Sequence, residues 1–263
     1  MLASGAEGGE LVLALTDRCT ASCSSCPLRC GPDCCHEMDG RLAKDLIDQA
    51  SSVGLRRITL AGGEPFLLPD LVRELLEYAR DKGIEERCVA TNGFWGAWPA
   101  GRIEDGVREL KGLLTHMVFA FDSFHAEHVG ADVFWRAVRT VDSMPVQAVI
   151  AVADVRGDRG AGAFLATLGD DAMGRSYLVY PLPPEGRAKD LPSDCFVEEL
   201  GVVGLGAASR ETLFVNWDGG IYPTHHPGIP RMSSRLGDAA LDPLAQILSQ
   251  ESILLEKRPK SEA

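Results

Sequence analysis

Short apolar runs alternate with amphipathic stripes of helical spacing from residue 11 to residue 180, and this alternation restricts the fold more than any other property of the sequence. The run over 11–16 ends in Asp17-Arg18 and reads as a buried strand feeding a loop. Leu42, Leu46, Ile47 and Ala50 then recur on one helical face, with Gly54 behind them as a stop. The next cycle has a strand over 58–61, a Gly62-Gly63 turn, and a stripe of Leu71, Leu75, Leu76 and Ala79 ahead of Gly83. Further strands are predicted over 88–91, 117–121, 146–153 and 177–180, with helices over 103–114, 133–141 and 163–168. Strands that alternate with helices pair in parallel through right-handed crossovers, and this count is too small to close an eight-stranded barrel. The pattern therefore predicts an α/β fold, either a partial barrel or an open doubly wound sheet.

Past Tyr180 the chain turns into Pro181-Leu182-Pro183-Pro184-Glu185-Gly186-Arg187, a turn-rich stretch suited to a boundary. We expect a core domain over 1–187 and a C-terminal extension on the substrate side over 188–263. Within the extension, strands over 212–216 and 221–222 flank Trp217-Asp218-Gly219-Gly220, the signal of a hairpin. A closing helix is expected over 241–248 and a frayed charged tail over 256–263.

Twenty-six basic against thirty-eight acidic residues give a formal charge of −12, which argues against a surface built to neutralise phosphates, so nucleic acid is not an expected partner. The longest apolar stretches, such as 146–153, fall well short of the roughly 20 residues of a spanning helix, and no membrane span is expected. The first ten residues lack a cationic start before an apolar run, so we expect a cytoplasmic protein.

Six of the eight cysteines fall between Cys19 and Cys35. In a reducing cytosol such a cluster serves metal binding or redox chemistry rather than a disulfide framework. Cys19, Cys23 and Cys26 have the spacing C-x3-C-x2-C directly after a strand. Three thiolates in one short loop can wrap one face of an iron-sulfur cube and leave one iron open, the arrangement of a catalytic rather than a structural centre. The same spacing suits a structural zinc ion whose fourth ligand comes from Cys30, Cys34, Cys35 or His36.

The strand, then Cys19-Thr20-Ala21-Ser22-Cys23-Ser24-Ser25-Cys26, then Gly62-Gly63-Glu64-Pro65 at the end of the next strand, resembles the radical S-adenosylmethionine (radical SAM) superfamily. The resemblance is good over 11–122 and weaker to Arg187. It implies a partial (β/α)6 TIM-like barrel of parallel strands, with a small hairpin-plus-helix extension here. It also implies a 4Fe-4S cluster on Cys19, Cys23 and Cys26 that binds the methionine part of SAM. The cluster would reduce the sulfonium, and the resulting 5′-deoxyadenosyl radical would abstract a hydrogen atom. A reductant such as flavodoxin or ferredoxin is implied as a partner. Ser25 departs from the family, which usually has an aromatic residue before the third cysteine.

Glycines at a strand end let backbone approach a ligand, and the resemblance assigns Gly62, Gly63 and Glu64 to SAM. Asn92 after the third strand, and Asp122 and Ser123 after the fourth, share the rim where loops following parallel strands build sites, and are assigned to SAM as well. Without a ligand, Asn92-Gly93 is a turn and Asp122 a helix cap. In Asp122-Ser123-Phe124-His125-Ala126-Glu127-His128, His125 is the candidate proton carrier; Glu127 and His128 also suit a solvated helix start. Cys30, Cys34 and Cys35 with His36 suit a second cluster, a redox dithiol or a shield for the first. Cys88 reads as core, and Cys195 as either core or a thiol hydrogen donor to a substrate radical. The hairpin followed by Pro223-Thr224-His225-His226-Pro227 resembles that of radical SAM enzymes acting on peptides, although no cysteine follows Cys195 to ligate an auxiliary cluster. The expected function is therefore hydrogen abstraction from a peptide or small natural-product substrate. A glycyl-radical activase and a zinc-stabilised interaction domain are the alternatives.

Overall fold

The computed structural model describes residues 9–197, 212–226 and 229–249, together with the backbone but not the side chains of His225, His226 and Ile229. The tail expected over 256–263 lies outside the described residues, as do the His225 and His226 side chains.

Six strands follow the predicted alternation: β1 (Glu10–Ala14), β2 (Arg57–Ala61), β3 (Glu86–Thr91), β4 (His116–Ala120), β5 (Gln147–Asp154) and β6 (Tyr177–Pro181). Each pairs in parallel with its successor, giving the continuous order β1-β2-β3-β4-β5-β6. The intervening helices are α1 (Gly40–Ser52), α2 (Pro69–Asp81), α3 (Ala100–Gly106), α4 (Ala131–Asp142) and α5 (Ala161–Ala166). Asp39 caps α1 by accepting from the backbone of Arg41 and Leu42, and α1 buries Ala43, Leu46, Ile47 and Ala50. Pro69 starts α2, which buries Val72, Leu75, Leu76 and Ala79. The single helix expected over 103–114 is instead α3 followed by a 3-10 turn at Arg108–Leu110. The Trp98 ring lies against Gly106, where a Cβ would meet it at 3.1 Å, and Val107 leaves helical geometry.

The C-terminal hairpin does not stand apart from this sheet. β7 (Thr212–Val215) pairs in parallel with the free edge of β1, Glu10 opposite Thr212 and Leu13 opposite Val215. β8 (Gly220–His226) returns antiparallel beside it, and β9 (Ile229–Pro230) and β10 (Gly237–Asp238) both pair with β8. The physical reason is that β1 is buried along its whole length, and a strand buried on both faces needs a neighbour on each side. The expected division at 187/188 remains a proposal about chain organisation, because the sheet runs across it.

Alternation along the strands separates two faces. Leu11, Leu13, Ile58, Leu60, Val89, Met117, Phe119, Ile150 and Val152 pack under the helices in one core. On the opposite face, Val12, Ala14, Ala61, Phe214 and Tyr222 form one cluster, and Val149, Ala151, Ala153, Leu178 and Tyr180 another with Cys19, Cys23 and Cys30. Toward the C-terminal ends of the strands that second face narrows to Ala61, Ala90, Ala120 and Ala151, on β2 to β5. Small side chains on four successive strands leave a space that larger ones would fill.

Candidate active site

The segment between β1 and α1 carries six cysteines, and its ends are tied together before it reaches them. Asp17 accepts through its carboxylate from the His36 backbone at 2.8 Å and lies 2.5 Å from the His36 ring, while Thr16 Oγ1 donates to the His36 carbonyl. Met38 N–H donates to Leu15 O, Gly31 N–H to Asp17 O, and Cys19 N–H to Gly31 O. Within this neck Cys19, Cys23, Cys26 and Cys30 turn inward and line one cleft. Cys34 and Cys35 do not line it, and Cys35 is exposed. The wall therefore carries the three thiols of the motif plus Cys30.

The cleft encloses about 1000 Å³ including its open mouth. Gly62, Gly63, Thr91, Asn92 and His125 join the cysteines around it, and Leu28, Val118, Ala120, Ala151, Tyr180, Leu182 and Pro183 complete an apolar wall. The cysteine loop also requires glycine at positions 62 and 63. A Cβ on Gly62, at φ +122°, would stand 2.6 Å from Thr16 O, and one on Gly63 2.1 Å from Arg18 O. Those contacts are replaced by Gly63 N–H donating to Thr16 O at 2.6 Å and Glu64 N–H to Arg18 O at 2.9 Å.

Glu64 is fully buried, does not line the cleft, and straps the second loop to the third. Its Oε1 accepts from Phe66 N–H and Thr91 Oγ1, and its Oε2 from Asn92 N–H at 2.9 Å. Burial raises its carboxyl to about 7, although these three donors pull the other way. Asn92 reaches back to the cysteine loop: Nδ2 stands 3.6 Å from Cys19 Sγ and donates to Thr20 Oγ1, while Oδ1 accepts from Phe94 N–H. Asp122 is fully buried and acts as a cap and an orienter. Its Oδ1 accepts from Phe124 and His125 N–H and lies 2.8 Å from His125 Nδ1, and its Oδ2 accepts from Ala153 N–H. Burial alone would raise the Asp122 carboxyl, but His125 and the backbone donors hold it below the usual range. Burial likewise opposes the His125 charge, and Asp122 more than offsets it, so the imidazole lies above its ordinary value.

Burial pushes the Cys19 thiol up to about 12 and Cys23 also upward. Cys26 moves down, chiefly because Cys30 hydrogen-bonds to it, and Cys30 moves up as the partner that keeps its proton. Among the described residues no three His, Cys, Asp or Glu side chains group tightly enough for a single metal ion. Four inward thiols spread around a roomy cleft fit a larger inorganic group, and thiolate is the donor such clusters take.

The structure thus brings Cys19, Cys23, Cys26, Gly62, Gly63, Asn92 and His125 to one cleft. Glu64 and Asp122 stand behind it, holding its wall. Ser123 turns elsewhere, its Oγ donating to Arg159 O at 2.9 Å. Cys195, in a 3-10 turn at Ser193–Cys195, does not line the cleft, so this geometry lends the hydrogen-donor role no support. Glu127 is exposed and pairs with Arg159, and Cys88 is buried in the sheet as expected. Sequence reasoning grouped Cys30 with Cys34, Cys35 and His36 and did not single it out, and it passed over Arg187, which it placed at a boundary. Arg187 Nε donates to Cys23 O and its Nη2 to Cys30 O. A Gly-Arg pair after β6 was the available signal.

A mostly parallel α/β sheet with thiols gathered where loops follow the strands has the layout of a barrel whose site lies at the C-terminal rim. The sequence profile of the Radical SAM superfamily matches residues 13–171, more than half of the chain, and the chain belongs to that superfamily. That superfamily is one of enzymes that use a 4Fe-4S cluster and SAM. It is similar to a GTP 3′,8-cyclase of Moorella thermoacetica, 36% identical over 104 residues that span 38% of this chain and 32% of that protein. A probable GTP 3′,8-cyclase of Methanosarcina acetivorans is 31% identical over 127 residues, 46% of this chain and 35% of the relative. The chain therefore matches about a third of the length of these curated relatives. Among solved structures, native anSMEcpe with bound AdoMet and Cp18Cys peptide aligns with a TM-score of 0.62 at 13% identity, over 96% of this chain and 84% of that one. Streptococcus suis SuiB bound to precursor peptide SuiA aligns with a TM-score of 0.64 at 12% identity, over 97% and 68%. At these identities they establish the fold, a partial barrel. No helix among the described residues is long and apolar enough to cross a membrane.

Proposed function

We propose that the chain holds its cluster through Cys19, Cys23 and Cys26, binds SAM beside Gly62, Gly63 and Asn92, and abstracts a hydrogen atom from a peptide or a natural-product precursor. The observation that carries this reading is the convergence of these residues on one cleft whose remaining wall is apolar. When bound, the cluster and SAM supply the electron and the hydrogen-abstracting radical. The protein's own residues position and shield. Glu64 and Asn92 fix the second and third loops against the cysteine loop. Leu28, Val118, Leu182 and Pro183 exclude water around a reactive carbon. His125, aligned by Asp122 through Nδ1, keeps Nε2 for a proton at the substrate. The electron comes from a flavodoxin or ferredoxin in the cytoplasm, where eight free thiols remain reduced.

The relatives' names favour a second reading, GTP as the substrate. A triphosphate calls for cationic partners, and among the described residues lining the cleft His125 is the basic one. Anaerobic reconstitution tests both. The protein should take up iron and sulfide and, with SAM and dithionite, release 5′-deoxyadenosine. Cys23→Ala should lose the cluster and all SAM cleavage, whereas Cys30→Ala should keep both; turnover in Cys23→Ala rejects the ligand assignment. Formation of a cyclised nucleotide from GTP would replace the peptide reading with the second.

A further inference from the structure

We propose that Arg187 is a positioning residue for the cluster: from the far end of the barrel it clamps the cysteine loop in its ligating shape and sets the charge around the bound iron. The inference rests on the reading that Cys19, Cys23 and Cys26 are the ligands. It goes beyond that reading by making the segment after β6, far away in sequence, part of the cluster site.

Four contacts build the clamp. The part-buried guanidinium donates from Nε to Cys23 O at 2.8 Å and from Nη2 to Cys30 O, so one planar fork spans the two ends of the turn containing Cys26. Arg187 N–H donates to Cys26 O at 2.9 Å, so three carbonyls of that turn answer to one residue. Arg29 answers in the other direction, donating to Gly186 O at 3.0 Å. Gly186 permits the approach: at φ +54° its missing Cβ would stand 2.2 Å from Pro27 O and 2.5 Å from Cys26 O.

The cysteine loop needs such a clamp. It lacks strand or helix of its own between β1 and α1, and Arg29 within it is a non-glycine residue at positive φ. Carbonyls facing inward at a ligand loop must be paired, and a charged donor pairs them more strongly than water or a neutral group. The same cation stands against the backbone of Cys23 and Cys30, beside the ligand cysteines. A reduced cluster is more negative than an oxidised one, so a nearby positive charge favours reduction, as the surroundings of iron-sulfur clusters are known to do. Lysine cannot replace this function fully, because it carries the charge without the fork.

The test uses the full chain, reconstituted without oxygen, as wild type, Arg187→Gln and Arg187→Lys. Two quantities are read: the rate of iron loss to an excess of a ferrous chelator, and the midpoint potential of the cluster from an EPR-monitored titration. Arg187→Gln should lose iron about 10- to 100-fold faster and titrate at a more negative potential, while Arg187→Lys should lose iron faster at a near-wild-type potential. Neither readout needs turnover, and a merely structural role would leave the potential unmoved. If Arg187→Gln does not fold, Arg187→Lys decides by the chelator rate alone. Wild-type rates and potentials in the folded variants overturn the proposal. Cys23→Ala runs beside them: a cluster that survives there refutes the ligand reading, whereas a lost cluster there beside unaffected Arg187 variants refutes the clamp alone.

Discussion

Glu64 shows how a residue found from a motif can act differently from the motif's first reading. The sequence marks it as a SAM contact; in the fold its carboxylate is spent on Phe66, Thr91 and Asn92 behind the cleft. Its folded-state value of about 7 lies above the ordinary 4.5, so the folded chain holds this proton more tightly than the unfolded one. The resulting stability is complete below about pH 4.5 and is lost as pH rises through about 7, a change of about 3 kcal/mol. Apoprotein stability in urea should therefore fall more steeply between pH 5 and 8 in the wild type than in Glu64→Gln, and parallel slopes would show that the buried carboxyl is ionised throughout. Asp122 makes the same point. Its use as a cap on Phe124 and His125 was open to the sequence, but the use of its other oxygen on Ala153 was not, because Ala153 belongs to a strand far along the chain.

Elements were legible where apolar periodicity was strong. The stripes of α1 and α2 appear as buried faces, and the strands are displaced by a few residues at most, because each helix covers one face of a parallel sheet and each strand end is set by a turn. The exception, 103–114, divides after Gly106, where Val107 leaves helical geometry and the Trp98 ring lies beside the glycine. Gly62-Gly63 was expected to admit a ligand; the fold shows the pair lining the cleft and also admitting the backbone of Thr16–Arg18. Gly63→Ala would drive a Cβ to 2.1 Å from Arg18 O and shift the start of the cysteine loop. We expect this variant to lose about 2–3 kcal/mol of apoprotein stability in urea and most of its iron on reconstitution. Full iron content at unchanged stability would mean that the two loops can part without cost.

At the scale of the whole molecule, the C-terminal hairpin completes the sheet. Phe214 on β7 is fully buried with Val12, Ala14 and Tyr222, and the hydrogen-bonding edge of β1 that β7 covers would otherwise be an apolar strand edge open to other chains. Phe214→Ala should cost about 3–5 kcal/mol, and urea unfolding followed by both circular dichroism and tryptophan fluorescence should remain a single coincident transition. Two separated transitions would show the C-terminal stretch to be its own unit, as the boundary at 187/188 suggests. The sequence by itself determined the parallel α/β architecture, the three-cysteine loop and the strand ends that frame the cleft, because periodicity and close spacing are local properties that a chain carries into any fold. Only the tertiary structure decided that Cys30 turns inward while Cys34 and Cys35 do not, that Ser123 and Cys195 miss the cleft, and that β7 and Arg187 come round to β1 and the cysteine loop. Those outcomes depend on contacts between residues far apart in the chain, where hydrogen-bond satisfaction and steric room are settled by partners that no local pattern specifies.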